Sequence, residues 1–136
     1  MNIETNKHIE ELQEEFKKDV TFDDFNSKHK TIELVLVKQK WSARLAHYKF
    51  KLLKLKKEKK NVLEDLKIKI KEKEKIGISD AAIDKMANSS DIIEKYVENI
   101  AAMEIVIDFL ERICKMLSEF SFDISNYVKQ LELENV

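Results

Sequence analysis

The hydrophobic and polar positions along the chain alternate mainly with the period of an α-helix. The opening segment is charged except for four apolar residues at three- or four-residue spacing, Ile9, Leu12, Phe16 and Val20. This spacing predicts a first helix. Thr21 followed by Asp24 resembles a helix-capping pair, so we expect a second helix to begin there.

The second predicted helix is long, because nothing between residue 24 and residue 75 interrupts a helical pattern. At about 100° per residue, its apolar side chains form one stripe. The stripe consists of Leu34, Trp41, Leu45, Tyr48, Leu52, Leu55, Leu63, Leu66 and Ile70. A neighbouring stripe consists of Lys38, Lys49, Lys56, Lys60, Lys67 and Lys71. Gly77 is the residue least suited to a helix and is predicted to end it.

A heptad pattern marks the C-terminal part of the chain. Ser89 and Ser90 precede Asp91 and Glu94, an order that predicts a helix start at Asp91. The heptad core positions that follow are Ile93, Tyr96, Ile100, Met103, Ile107, Leu110, Cys114 and Leu117. Four consecutive repeats indicate a seam between helices, and we predict that these eight residues mediate oligomerisation.

The end of the chain is predicted to form a separate short helix. The serine- and phenylalanine-rich segment at 118–123 is expected to interrupt the heptad helix. Beyond it, an inward face is predicted for Ile124, Tyr127, Val128 and Leu131.

The composition favours an all-α fold, with a long helix and heptad-patterned C-terminal helices. The 136 residues include one glycine and no proline, whereas β-rich folds need turns that use both. We expect one helical domain made of residues 1–76, a connection at 77–90 and oligomerisation helices at 91–136. Neighbouring subunits would cover the two adjacent apolar strips of the last region. We therefore predict a homo-oligomer shaped as a helical barrel or ring.

Charge is strongly segregated along the chain, although the formal net charge is only −1. Residues 38–75 carry 15 basic and five acidic side chains, whereas residues 76–136 carry five basic and 12 acidic ones. A dense block of like charges attracts a polyanion. Nucleic acid is the favoured partner, and an acidic protein or a membrane surface is the alternative.

The candidate DNA-binding residues come from this basic block. The first rank is Lys54, Lys56, Lys57, Lys59 and Lys60, and the second is Arg44, Lys67, Lys69 and Lys71. Because lysine predominates, we expect contacts to phosphates and little reading of base edges. Binding should therefore be independent of sequence and sensitive to salt.

Four residues within the block have a different predicted environment. Trp41 and Tyr48 belong to the apolar stripe and are predicted in the core, whereas Phe50 lies off the stripe. Lys59 interrupts the stripe between Leu55 and Leu63. It is predicted either to extend out of a helix seam or to face a wet surface.

The sequence contains no pattern typical of an enzyme. His8, His29, His47 and Cys114 lack metal-ligand spacing, and one glycine cannot form a phosphate-binding loop. We therefore expect no catalysis, no metal and no cofactor. The opening residues are too acidic for a signal peptide, and no apolar run approaches the roughly 20 residues of a membrane span. A cytoplasmic location is expected.

Three segments resemble the UvsY-type recombination mediator proteins of T-even-like bacteriophages. They are IEELQEEFKKDV at Ile9–Val20, QKW at Gln39–Trp41 and EIVIDFLERICKML at Glu104–Leu117. The resemblance implies a non-catalytic protein that binds single-stranded DNA in the cytoplasm of a bacterial host cell. It also implies loading of a RecA-like recombinase of the UvsX type onto strands coated by single-stranded DNA-binding protein.

Two further points follow from the resemblance. It implies assembly as a hexameric or heptameric ring. The basic DNA-binding cluster of the family falls, in the ungapped register, at Glu64 and Leu66, so these contacts are not carried over. The alternative function is a structural coiled-coil scaffold, in which the lysines pair with acidic protein surfaces such as residues 10–15 of a neighbouring subunit.

Overall fold

The chain folds into four helices in the computed structural model, which describes residues 3–21, 27–74 and 77–134. They are α1 (Ile3–Val20), α2 (Ser27–Lys73), α3 (Asp80–Asn88) and α4 (Asp91–Glu134). No strand occurs in these ranges, so the all-α prediction is confirmed. Helix α2 ends before Gly77, as predicted. The predicted pairing of Thr21 with Asp24 lies outside the described residues, since Asp24 is not among them.

The helices contribute to two compact units. Unit 1 consists of Met1–Tyr48 and Ile105–Val136, and unit 2 consists of Lys49–Glu104. Helices α2 and α4 therefore each supply residues to both units. The predicted division at residues 76 and 90 follows the sequence and stays a prediction, whereas these units are defined by spatial contacts.

Unit 1 has a core built from α1, the first part of α2 and the second part of α4. Its buried residues are Leu12, Leu34, Trp41, Val106, Leu110, Ile113 and Leu117. The Trp41 ring is fully buried and meets Phe16 edge to face, with 6.0 Å between ring centroids. Its Nε1 donates a hydrogen bond to Asp19 Oδ2 at 2.9 Å, which satisfies the only polar atom of the buried side chain. The predicted core position of Trp41 is confirmed.

The heptad positions of α4 face inward within a single chain. Leu110 and Leu117 are fully buried in unit 1, and Ile93 is buried in unit 2. The half-buried positions are Tyr96, Ile100, Met103 and Cys114, while Ile107 is buried. Leu110 and Leu117 therefore need no second subunit to cover them. The role of the eight residues in oligomerisation stays a prediction.

The predicted interruption of the last helix is wrong. Helix α4 (Asp91–Glu134) continues through this segment without a break. Serine and phenylalanine lower helix propensity by less than about 0.7 kcal/mol each, far less than proline does. Ser118 also bonds within the helix, because its hydroxyl donates to the Cys114 carbonyl oxygen at 3.1 Å. The side chains of the predicted inward face, Ile124, Tyr127, Val128 and Leu131, lie outside the described residues.

Serine side chains cap the two helices that follow Gly77. Ser79 Oγ accepts a hydrogen bond from Ala82 N at 3.2 Å and caps α3. Ser90 Oγ accepts one from Ile93 N at 3.4 Å, which confirms the predicted start of α4. The segment 77–90, predicted as a connection, thus contains the nine-residue helix α3.

Replacing a buried leucine of α4 should cost far more stability than replacing an exposed one. We expect Leu110→Ala to lower the free energy of unfolding by about 2–5 kcal/mol, because it leaves a cavity in the core. Leu133 is 75% exposed on the same helix, so Leu133→Ala should change it by less than about 0.5 kcal/mol. Urea denaturation measures both, and equal losses would contradict this core.

Candidate nucleic-acid interface

Helix α2 carries an array of lysines in unit 2, outside its apolar face. The apolar stripe there is half-buried at Leu52, Leu55, Leu63, Leu66 and Ile70. At about 100° per residue, four lysines follow one flank of this stripe. They are Lys56, Lys60, Lys67 and Lys71, over about 22 Å of helix at 1.5 Å per residue. Lys54, Lys57 and Lys69 are exposed elsewhere around the helix.

Two lysines on this flank form ion pairs with carboxylates of the same unit. Lys56 Nζ lies 3.5 Å from Glu104 Oε1 on α4, and Lys67 Nζ lies 2.9 Å from Asp84 Oδ1 on α3. Such partly exposed pairs contribute only about 0–1 kcal/mol, so another anion can compete for these lysines. Across the described ranges no carboxylate pairs with the other six lysines, Lys54, Lys57, Lys59, Lys60, Lys69 and Lys71. The array therefore keeps an excess of positive charge.

Lys59 lies beside a recess formed by α2 and α4 within unit 2. The recess measures about 290 Å³ and is lined by Lys56, Lys59, Lys60, Leu63 and Ile100. Lys59 is half-buried, whereas Lys56 and Lys60 are exposed. The two apolar residues, Leu63 and Ile100, are also half-buried. The lysine that interrupts the apolar stripe thus lies at the edge of an open recess with both charged and apolar lining.

The structure places Arg44, the remaining predicted DNA-binding residue, in a cluster of charges in unit 1. Arg44 Nη1 lies 2.7 Å from Glu15 Oε2, and its guanidinium carbon is 4.9 Å from the centre of the Trp41 ring. Lys40 Nζ lies 2.6 Å from Glu15 Oε2 and 2.7 Å from Asp19 Oδ2. The side chain of Arg44, a residue of α2, is thus held against α1 by contacts that support the core.

The carboxyl group of Glu15 has a pKa below its ordinary value. Burial raises this pKa, but the hydrogen bonds and positive charges of Lys40 and Arg44 lower it by more. Burial likewise lowers the pKa of Lys40, while Asp19 and Glu15 raise it by more, so the Lys40 pKa lies above its ordinary value. Part of the acidic charge of α1 is therefore taken up by ion pairs within its own chain.

The aromatic side chains of the basic block differ in exposure. Phe50, predicted to lie off the apolar stripe, is 68% exposed. Tyr48 is half-buried, and its hydroxyl lies 2.7 Å from His8 Nε2.

Among the described residues, no group of three His, Cys, Asp or Glu side chains is placed to hold a metal ion. None of the described helical stretches is long and apolar enough to cross a membrane.

The sequence patterns did not assign Glu104, Asp84 or Ile100 to the lysine array. Glu104 and Asp84 form the two ion pairs, and Ile100 lines the recess. Their contacts with α2 depend on which faces of segments far apart in sequence pack together. The heptad pattern did place Ile100 on an inward face, but it gave no partner for it.

The fold and the array define a class of all-helical protein with a cationic surface on its longest helix. Crystal structures of the bacteriophage T4 recombination mediator protein UvsY are similar to this chain. The lattice type IV structure has a TM-score of 0.76 and 21% identity, over 93% of this chain and 98% of that chain. The lattice type II structure has a TM-score of 0.72 and 18% identity, over 100% of this chain and 99% of that chain.

The likeness to UvsY extends over nearly the full length of both chains and shows a shared fold. No protein-family model and no curated protein sequence matches this chain. The fold is therefore common to the two proteins at an identity too low to define a family.

Neutralising Glu15 should destabilise the protein in a pH-dependent way. Because the folded-state pKa of Glu15 is lowered, its contribution is complete above the unfolded-state pKa of about 4.3 and is lost as pH falls through the folded-state value. We expect Glu15→Gln to lower the free energy of unfolding at pH 7 by about 1 kcal/mol or less, since the ion pairs are partly exposed.

Urea denaturation of wild type and Glu15→Gln between pH 7 and pH 3 measures this effect. The difference between the two proteins should shrink as the pH falls below about 4. Glu10→Gln is the matched control, because Glu10 is exposed on the same helix, and it should differ little from wild type. A Glu15 difference that stays constant with pH would contradict the assigned ion pairs.

Proposed function

We propose that this protein is a recombination mediator that binds single-stranded DNA without sequence specificity. It helps to load a RecA-like recombinase onto strands coated by single-stranded DNA-binding protein. The observation that carries the proposal is the fold shared with the T4 recombination mediator UvsY over nearly the whole chain. The lysine array supports it, since six of its lysines have no carboxylate partner among the described residues.

The chemistry of the array accounts for sequence-independent binding. Lysine ammonium groups attract phosphates as point charges, while arginine is the residue that commonly reads guanine edges. In unit 2, the candidate residues are eight lysines and no arginine. Binding would release counterions from the strand, so its affinity should fall steeply as salt increases.

Assembly would strengthen this binding. The proposed homo-oligomer is a ring, hexameric or heptameric, in which each subunit contributes one lysine array. A strand that contacts several equivalent arrays binds with an avidity far above the affinity of one array. By wrapping the strand, the ring would weaken the hold of the coating protein and present the strand to the recombinase. This mechanism requires no catalytic residue.

A structural scaffold is the second candidate function. The ion pairs of Lys56 with Glu104 and of Lys67 with Asp84 favour it, because they show that these lysines accept carboxylate partners. In a scaffold, the remaining lysines would pair with acidic surfaces of neighbouring proteins. Such a protein would assemble without binding DNA.

Reversing two exposed charges on α2 should weaken DNA binding. Lys54 and Lys57 are exposed, and we expect Lys54→Glu with Lys57→Glu to lower the affinity for a fluorescent single-stranded oligonucleotide about tenfold or more at low salt. Loading of the recombinase onto coated strands should fall in parallel. The control is Lys17→Glu with Lys18→Glu on α1, which makes the same charge change outside the array.

Fluorescence anisotropy and sedimentation together separate the two functions. Recombination mediation predicts weaker DNA binding at Lys54 and Lys57 with the oligomeric state unchanged, and a smaller effect of the α1 control. An unchanged affinity would contradict the assigned interface. Dissociation of the oligomer would make these lysines contacts between subunits and would favour the scaffold.

A further inference from the structure

We propose that the recess on unit 2 binds one nucleotide of an unpaired strand. Its phosphate would lie between the ammonium groups of Lys59 and Lys60, and its base would lie against Leu63 and Ile100. This inference rests on the proposed function and identifies where, within the array, a single strand is distinguished from a duplex.

The position of Lys59 is the first observation. Residues 52, 55, 63, 66 and 70 continue an apolar stripe on the inward face of α2, and Lys59 occupies the place in that stripe where a leucine would complete it. The Lys59 side chain is half-buried. A charged group on an inward face reduces the apolar surface that the helices can bury. Such a residue is therefore a candidate for binding an anion in addition to its place in the fold.

The lining of the recess is the second observation. Three lysines and two aliphatic residues line an open recess of about 290 Å³, close to the lower end of small-ligand sites at about 300–1,000 Å³. This volume suits a group of nucleotide size. A nucleotide combines a phosphate with an apolar ring face. The recess offers positive charge for the phosphate and an adjoining apolar surface for the ring.

The charge around the recess also fits a phosphate. Lys56 already forms an ion pair with Glu104 at 3.5 Å, which balances part of its positive charge. Lys59 and Lys60 have no carboxylate partner within the described ranges. An incoming phosphate would therefore meet two unneutralised ammonium groups first.

The apolar side of the recess explains a preference for unpaired strands. In a duplex each base is stacked and paired, and moving it out of the helix costs a few kcal/mol. A single strand can place a base against Leu63 and Ile100 at a much smaller cost. Lysines distributed over an open surface would give no such preference, because both kinds of DNA present phosphates.

An abasic oligonucleotide isolates the contribution of the bases. It carries the same phosphates as an oligo-deoxythymidine of equal length but no bases. We expect the full-length wild-type protein to bind the strand with bases about fivefold or more tightly than the abasic strand. Lys59→Gln should lower the affinity for the complete strand and remove most of this preference, because a base reaches Leu63 and Ile100 only when Lys59 holds the adjoining phosphate.

Lys69→Gln is the matched control. Lys69 is exposed on the same helix, lies outside the recess and undergoes the same charge change. It should weaken binding of both strands equally and leave the preference intact. Equal effects of Lys59→Gln and Lys69→Gln on the preference would overturn the recess as a site while leaving DNA binding by the array in place.

The variant Lys59→Leu separates ligand binding from folding. Lys59→Leu completes the apolar stripe, so we expect a higher melting temperature together with loss of the preference for bases. A preference that survives in Lys59→Leu would overturn the inference. If wild type binds neither strand at low salt, the proposed function fails, and the inference fails with it.

Discussion

Helix α2 has to bury one apolar face while carrying far more positive than negative charge. Between residues 27 and 73 it holds 16 basic and five acidic side chains. Like charges at this density repel each other, so the helix depends on packing of its inward face rather than on pairs along its own surface. In unit 1 that packing centres on Trp41, whose indole donates a hydrogen bond to Asp19 on α1 at 2.9 Å.

The acidic side chains of the flanking helices balance the positive charge of α2 to different extents in the two units. In unit 1, Glu15 and Asp19 of α1 bind Lys40 and Arg44 at 2.6–2.7 Å. In unit 2, Glu104 and Asp84 each hold one lysine, at 3.5 and 2.9 Å, while six candidate lysines keep no such partner among the described residues. Charge thus supports the core in unit 1 and stays available in unit 2, where an anionic strand is proposed to bind.

Local patterns predicted the elements and their inward faces but not the pairing between elements. Helical periodicity predicted Trp41 in the core and Phe50 off the apolar stripe, and Ser90 with Asp91 gave the start of α4. The continuity of α4 through 118–123 was missed, because weak helix formers are tolerated in an otherwise strong helix. The contacts of Arg44 with Glu15 and of Lys56 with Glu104 join residues far apart in sequence, and periodicity carries no information about such pairs.

The lysines of α2 are proposed to form a binding surface for single-stranded DNA. The most direct test measures the affinity of the full-length protein for a fluorescent single-stranded oligonucleotide, and for a duplex of equal length, across a series of salt concentrations. With the recess on unit 2 holding bases of an unpaired strand, we expect tighter binding of the single strand, with log K falling by about 0.7 per log unit of salt for each phosphate contacted. Absence of binding even at low salt would contradict this proposal and would identify the lysine array as a surface for protein assembly.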